Sequence, residues 1–232
     1  MKNHHKVLTA LGCGLILSAC QSTPTSAPAP MTTATVPDNA SVIAYFSSMQ
    51  AGGVLLPSAQ HADIYRVLIK HDTQGYLVQD FYQSSKKPQS SPVLLTNPAD
   101  LKSMTPTSIV GDLTLYYRTG QVYQRASYNK QHQPTGQAFT YNMQGKVVVE
   151  ENNRSDGSYS GRFWYADNLH PALNLEMNTH NQIISAQGWN RHQQAIPNHQ
   201  CFAEKTLNPQ NTQDQCYQLL MQLYQTSSTL SD

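Results

Sequence analysis

The chain has 232 residues, a length that suits one folded domain with extra segments. Its 15 Lys and Arg nearly balance its 14 Asp and Glu, for a formal net charge of +1. This balance lacks the basic surface that nucleic acid or anionic lipid requires, which excludes those partners. Gln, Asn, Ser and Thr supply the polar surface instead, and such neutral groups suit contact with sugars or plain solubility equally well.

The first 19 residues have the pattern of an export signal. Lys2 and Lys6 form a basic start, and the apolar stretch 7–17 is too short to span a bilayer as a stable helix. The residues Leu17-Ser18-Ala19-Cys20 follow directly. They resemble the lipobox of bacterial lipoproteins, which implies cleavage before Cys20, lipidation of its sulfur and acylation of the new amino terminus. An ordinary secretory signal with a chance cysteine is the alternative.

Several acyl chains would anchor the protein stably, whereas one chain gives marginal binding. Gln21 follows the cysteine, and in enterobacteria-like sorting this implies the outer membrane, because Asp at that position retains a lipoprotein in the inner membrane. We therefore expect a lipid-anchored protein that faces the periplasm, with cell-surface display as the alternative. Residues 20–37 are rich in Ser, Thr, Pro and Ala, which predicts a flexible tether before a single domain over 38–232.

The segment Asp38–Gln50 is predicted to be a short amphipathic helix, because its apolar residues recur at helical spacing and Gly52-Gly53 follows. Those apolar residues are Val42, Ile43, Phe46 and Met49. Ile64–Ile69 and Tyr76–Tyr82 are predicted to form a hairpin across Asp72–Gly75.

The middle of the chain contains an internal repeat. Gly111, Gly136 and Gly161 are spaced by 25 residues, and Gly188 follows after 27. The matched positions inside the units are Tyr116 with Tyr141, Gly120 with Gly145, and Val122 with Val147. The third unit keeps its aromatic residue one step early, at Tyr165, and Gln79–Ser91 reads as a more degraded upstream copy. About four hairpin units are therefore predicted.

This spacing of Gly, aromatic residue and Gly-Lys or Gly-Gln resembles the MORN-repeat variant family, over roughly 75–191. The resemblance implies a meandering antiparallel sheet. Independently, alternating aromatic and β-branched residues predict half-buried strands, and a hairpin alone cannot bury its apolar face. We therefore expect a mainly β fold, an antiparallel hairpin-repeat sheet with a short helix covering each end. Ladders of packed aromatic residues, rather than a ligand platform, are expected from Tyr116, Tyr123, Phe139, Tyr141, Tyr159, Phe163 and Tyr165.

Cys201 and Cys216 remain after the signal and the lipid site are set aside, and a disulfide is the simplest reading in an exported protein. A metal site from His192, His199 and Cys201 is the alternative. The segment Thr212–Tyr224 is predicted to be a helix capped by Thr212. Its apolar face would carry Cys216, Leu219, Leu220 and Leu223.

The sequence has no motif of a hydrolase, zinc protease or phosphate-binding loop. We therefore expect neither catalytic residues nor a cofactor or metal, and a binding or scaffold role towards an envelope protein or peptidoglycan. The alternatives are an immunity or antitoxin-like role in the periplasm, a surface adhesin, and a hydrolase of envelope glycan or lipid. Candidates for the hydrolase are Glu150, Glu151, His170, His180 and His192.

Overall fold

A computed structural model of the chain describes residues 40–166, 170–207 and 213–229, with 225–229 described by their backbone. The signal segment 1–19, Cys20, the tether 20–37 and the predicted cap Thr212 lie outside the described residues. The described chain forms one antiparallel sheet of twelve strands, in which neighbours along the chain are almost always neighbours in space. The exception is β1, which lies between β3 and β2.

The strands are β1 (Ser41–Phe46), β2 (Leu55–Leu56), β3 (Ile64–Asp72), β4 (Gly75–Tyr82), β5 (Val93–Leu95), β6 (Ile109–Tyr116), β7 (Val122–Tyr128), β8 (Pro134–Tyr141), β9 (Val147–Asn153), β10 (Tyr159–Trp164), β11 (Pro171–Met177) and β12 (Ile183–Gly188). Short 3₁₀ helices cover Pro98–Lys102 and Asn198–Gln200, and one α-helix, α1, covers Gln215–Thr229. The expected mainly β meander of hairpins is confirmed. The β3–β4 hairpin, in which Asp72 faces Gly75, is part of it.

The predicted amino-terminal helix over Asp38–Gln50 is wrong. Its centre is β1, which pairs with β3 and buries Ala44 and Phe46 at alternate positions. Val42 and Met49, which would lie on the buried helix face, are 45% and 49% exposed. Aromatic and β-branched residues favour a strand, and pairing with β1 satisfies the backbone of β3, which a short helix would leave at an open edge.

The predicted carboxy-terminal helix is confirmed, and it begins at Gln215. Asp214 caps it, because its Oδ1 accepts a hydrogen bond of 2.9 Å from the backbone N–H of Tyr217. The predicted apolar face is buried as expected, with Cys216, Leu219, Leu220 and Leu223 all in one cluster. In the described part of the chain, α1 falls short of the length and hydropathy that a membrane-spanning helix needs.

The helix packs on one face of β10, β11 and β12, rather than over the end of the sheet as predicted. We call this the covered face; it carries Phe163, Leu173 and Leu175, which contribute to the cluster under α1. The opposite side of β9–β12 is the open face, and it carries Glu150, Asn152, Ser160, Arg162, Asn174 and Glu176. Because strand side chains alternate, neighbouring residues such as Glu150 and Glu151 lie on opposite faces.

Six turns share one tight geometry; five of them connect successive strands, and the sixth follows β12. The N–H of the first residue donates to the carbonyl of the fifth, and the N–H of the fourth donates to the carbonyl of the first. The first residues are Tyr117, Asn129, Asn142, Arg154, Asn178 and Asn190. The fourth residues all have positive φ; they are Gly120, His132, Gly145, Gly157, Asn181 and Gln193. This geometry is a three-residue hairpin loop whose last residue takes the left-handed conformation.

Consecutive turns begin 12 or 13 residues apart, at positions 117, 129, 142 and 154. The 25-residue period of the glycines is therefore two strand-and-turn units. Gly120 and Gly145 occupy the same turn position, where φ of +92° and +72° favours glycine. Gly111 and Gly136 also have positive φ, but they lie within β6 and β8. Gly161 is different, because it lies in the middle of β10 opposite Glu151 and Leu175.

Candidate binding surfaces

The aromatic residues of the repeat are packed, as the sequence predicts. Tyr116, Tyr141 and Trp164 are all less than a tenth exposed and belong to one cluster with Val122 and Val147. Trp164, rather than Tyr165, is thus the third member of the row that Tyr116 and Tyr141 begin. The predicted match of Tyr165 with Tyr116 and Tyr141 is therefore wrong, because Trp164 takes that position and Tyr165 belongs to the row that contains Tyr117.

A second row of side chains joins each turn to the next turn on the same edge. The hydroxyl of Tyr82 donates to the carbonyl of Tyr116, and that of Tyr117 to the carbonyl of Tyr141. Further along, the amide of Asn142 donates to Ala166 and the hydroxyl of Tyr165 to Trp189. These residues hold the turns at a fixed spacing. The alignment of Gln79–Ser91 with the first unit already matches Tyr82 with Tyr117, and the two hydroxyls make equivalent hydrogen bonds in the structure.

Cys201 and Cys216 form a disulfide, with Cα atoms 4.7 Å apart. The bond pins α1 to the loop after β12, as predicted. Gly188 lies directly beneath it, and a Cβ at that position would come within 2.6 Å of the Cys216 sulfur. The alternative metal site would need a thiolate from Cys201, but the sulfur of this residue is bonded to that of Cys216. In the described ranges 40–166, 170–207 and 213–229, no three potential ligands lie close enough to hold a metal ion.

The open face of β9–β12 is a polar surface in regular rows. Asn152, Ser160 and Glu176 are aligned across three strands, and Glu150, Arg162 and Asn174 form the next row. A shallow depression of about 380 Å³ lies among these side chains. Arg162 is half exposed and 3.9 Å from Glu150. Asn174 carries a buried Oδ1 without a hydrogen-bond partner among the described residues.

A larger cavity of about 530 Å³ lies on the covered face, between α1, β9–β11 and the turn that begins at Asn129. Glu151 lies in it, and its Oε1 accepts hydrogen bonds of 2.9 Å from Tyr159 and 3.3 Å from Tyr224. Burial and the neighbouring Glu151 carboxylate raise the pKa of Tyr159, and the same two causes raise the pKa of Tyr224. Both phenols therefore stay protonated and donate to Glu151 at neutral pH.

A third cavity, of about 300 Å³, lies between β3–β7 and the loop at Met104–Pro106. The pair Arg66 and Asp80 lines it, with Nε–Oδ1 and Nη2–Oδ2 distances of 2.7 and 2.8 Å. Arg66 also donates to the carbonyls of Asp100 and Ser103. All three guanidinium nitrogens thus have partners inside the fold, so this pair is part of the scaffold.

The structure separates the residues that a hydrolase would need to bring together. Glu150 lies on the open face and Glu151 on the covered face. His180 and His192 occupy the third position of two different turns, and His170 is an exposed residue just before β11. In the sequence Glu150 and Glu151 are an adjacent acidic pair, but the alternation of strand side chains puts Glu151 under α1 and Glu150 on the other face.

No protein-family model matches the chain. A search of curated proteins likewise finds no match.

Proposed function

We propose that the protein is a lipid-anchored, non-catalytic binding or scaffold protein of the bacterial envelope, which presents its sheet to an envelope protein or to peptidoglycan. The observation that carries this proposal is the open face of β9–β12. Rows of Asn, Ser, Gln and paired charges cover it, from Gln137 of β8 to Gln187 of β12. Such a surface of hydrogen-bonding side chains, held in rows by the strands, is suited to binding a polar partner.

The chemistry of the cavity on the covered face favours binding over turnover. Glycoside hydrolases use a pair of carboxylates that flank one bond. Glu151 is the one carboxylate among the described residues that line this cavity. Burial and the Glu151 carboxylate raise the pKa of Tyr159, which disfavours the phenolate form that would act as a nucleophile.

The amino-terminal pattern supports the cellular side of the proposal. The lipobox-like residues ending in Cys20 and the tether 20–37 would place the sheet at a short distance from the membrane. A tethered binding protein meets membrane-associated partners at raised effective concentration, which allows a modest interface to suffice.

Photo-crosslinking in living cells tests this proposal. A crosslinking amino acid is placed at Arg162 or Glu176 on the open face of the tagged full-length protein, and at the exposed Ser84 as the matched control. We expect an envelope component to be captured from the open face and not from Ser84. Capture should fail in Cys20→Ala, which removes the lipid site. No specific adduct from either open-face position in correctly anchored protein would contradict the proposal.

A further inference from the structure

The cavity on the covered face is built for a ligand that both donates and accepts hydrogen bonds. Four of the polar side chains that line it make no side-chain hydrogen bond to the described residues; they are Thr135, Asn153, Ser155 and Asn181. An amide carries two donors and one acceptor oxygen, and a hydroxyl is both donor and acceptor. Their partners must therefore come from solvent or from a bound molecule.

Glu151 adds a fixed acceptor to this lining. Both phenol hydrogen bonds fall on its Oε1, and Oε2 receives none from the described residues. Because Tyr159 and Tyr224 hold the carboxylate from two elements, β10 and α1, its position is set before any ligand arrives. Preorganisation of this kind lowers the entropic cost of binding.

The cavity also has apolar contact surface. The exposed walls include Tyr224 and Leu207, which are 41% and 40% exposed, and Met177 and Leu220 lie behind them. Aromatic rings with a polar tip can pack against C–H groups while their hydroxyl stays hydrogen-bonded. The volume of about 530 Å³ is in the range of small-ligand sites.

The charged and hydrogen-bonding side chains of the cavity favour some classes of ligand over others. An anion would meet the Glu151 carboxylate, while the nearby Arg154 guanidinium is engaged with Ser158 and Ser160. An ammonium would suit Glu151, but it donates hydrogen bonds and accepts none, so the amide N–H groups of Asn153 and Asn181 would stay without partners. An uncharged polyol satisfies donors and acceptors alike.

We infer that this cavity binds an uncharged oligosaccharide that carries N-acetyl groups, with Glu151 accepting hydrogen bonds from the sugar and Tyr224 packing on its ring. The N-acetyl group combines an amide with a methyl, which matches amide side chains beside Leu207 and Met177. The inference rests on the proposed binding function and names the ligand class for one surface of the same protein.

Calorimetric titration of the full-length protein with chitotetraose, a tetramer of N-acetylglucosamine, tests the inference. Cellotetraose, which lacks the N-acetyl groups, is the matched ligand. We expect saturable binding of chitotetraose and at least about tenfold weaker binding of cellotetraose. Without the N-acetyl groups, hydrogen-bonding side chains and an apolar contact of the cavity would lack a partner in the ligand, and this loss corresponds to about that ratio of affinities.

Three variants locate the site. Glu151→Gln should weaken chitotetraose binding about tenfold, since hydrogen bonds to a charged group are among the stronger ones. Asn153→Ala should weaken it about threefold to tenfold, and this residue makes no side-chain hydrogen bond to the described residues whose loss would disturb the fold. Asp112→Asn, at an exposed carboxylate of β6 that does not line the cavity, is the control and should leave the affinity within about twofold.

The outcomes are separable. Absence of chitotetraose binding, equal binding of cellotetraose, or binding that survives both Glu151→Gln and Asn153→Ala overturns the inference. The open-face crosslinks do not involve this cavity. If chitotetraose does not bind but the crosslinks form, the inference is overturned and the proposed function stands. If the crosslinks are lost but chitotetraose binds, the proposed open-face function is overturned and the sugar site stands.

Discussion

Arg66 is the most deeply buried charge of the described chain, with 2% of its surface exposed. Its guanidinium is paired with Asp80 and bonded to the carbonyls that surround the 3₁₀ helix Pro98–Lys102. A buried ion pair costs desolvation energy, and removal of one partner leaves an uncompensated charge. Arg66 therefore ties β3, β4 and the 97–108 segment into a single arrangement.

We predict that Asp80→Ala lowers the free energy of unfolding by about 3–5 kcal/mol, because Arg66 would remain buried without its counter-charge. Urea denaturation followed by circular dichroism measures this loss. The control is Asp63→Ala, which breaks a partly exposed pair with Arg118 and should cost about 1 kcal/mol or less. Equal losses for the two variants would contradict a special role for the buried pair.

Asp100 is a second buried charge with a defined set of donors. Burial by itself would raise the pKa of its carboxyl, but hydrogen bonds from Ser108 and Thr107 outweigh this effect and lower the pKa below its usual value. The backbone N–H of Ser108 lies 2.7 Å from Oδ2 and that of Thr107 lies 2.9 Å from it. The ionised form is thus the one that the fold stabilises.

We predict that Asp100→Asn is less stable than the parent protein at pH 7 by about 1–2 kcal/mol. A carboxyl whose pKa is depressed in the folded state contributes its full stability above the unfolded pKa, and this contribution disappears as the pH falls through the lower, folded value. The difference between parent and variant should therefore shrink below about pH 4. Denaturation curves from pH 7 to pH 2.5 measure it, and a difference that stays constant would refute this assignment.

At the scale of the element, the turns contribute more to the stability of the fold than their exposure suggests. Four of the six begin with Asn, whose Oδ1 accepts hydrogen bonds from the third and fifth residues of the turn. The side-chain amide of Asn142 also donates a hydrogen bond of 3.1 Å to the carbonyl of Ala166 in the neighbouring turn. This residue is buried, with 3% of its surface exposed.

We predict that Asn142→Ala lowers the free energy of unfolding by about 2–3 kcal/mol, since three partly buried backbone groups lose their partner. Asn178→Ala is the matched control, because among the described residues that turn has the same internal hydrogen bonds but no bond to a second turn, and Asn178 is only half buried. Its loss should be about 1 kcal/mol. Thermal or urea unfolding of both variants measures the difference, and a loss no larger at Asn142 than at Asn178 would argue against turn-to-turn coupling.

At the scale of the whole molecule, the sheet is an array in which each strand contacts its chain neighbours. Stability in such arrays is approximately a sum over units and their interfaces. The unit is one strand and one turn, and two units return the chain to the same edge. A deletion that removes two units should therefore rejoin equivalent positions.

We predict that deletion of residues 118–142 leaves a folded protein, because Tyr117 is then followed by the turn residues 143–146 and takes the place of Asn142. The matched control, deletion of 118–129, removes one unit. It reverses the direction of every later strand and separates Trp164 from the edge where Tyr116 lies, so we expect it not to fold. Circular dichroism and the cooperativity of urea unfolding distinguish the two, and equal behaviour of the deletions would contradict the two-unit period.

Much of this architecture could be predicted from local signals. Alternating apolar residues, glycines at turn positions and the pair Cys201 and Cys216 act over short distances along the chain, so the hairpins, the last helix and the disulfide are visible without the fold. The Asn residues that begin four of the turns also indicate a turn in the sequence, but the prediction of the hairpins did not use them. Glu151 cannot be distinguished from Glu150 by the sequence, because nothing local shows which face of the sheet α1 covers.

Other features were decided by tertiary contacts. The amino-terminal segment has apolar residues that fit a helix or a strand, and the free edge of β3 selected the strand. Arg66 is buried because partners 14 to 37 residues away converge on it, and no spacing in the sequence marks that convergence. The sequence by itself thus determined the repeating hairpin, since turn chemistry and side-chain alternation are local. The tertiary structure decided which face α1 covers and hence which residues line the cavity, because burial depends on what packs against a strand.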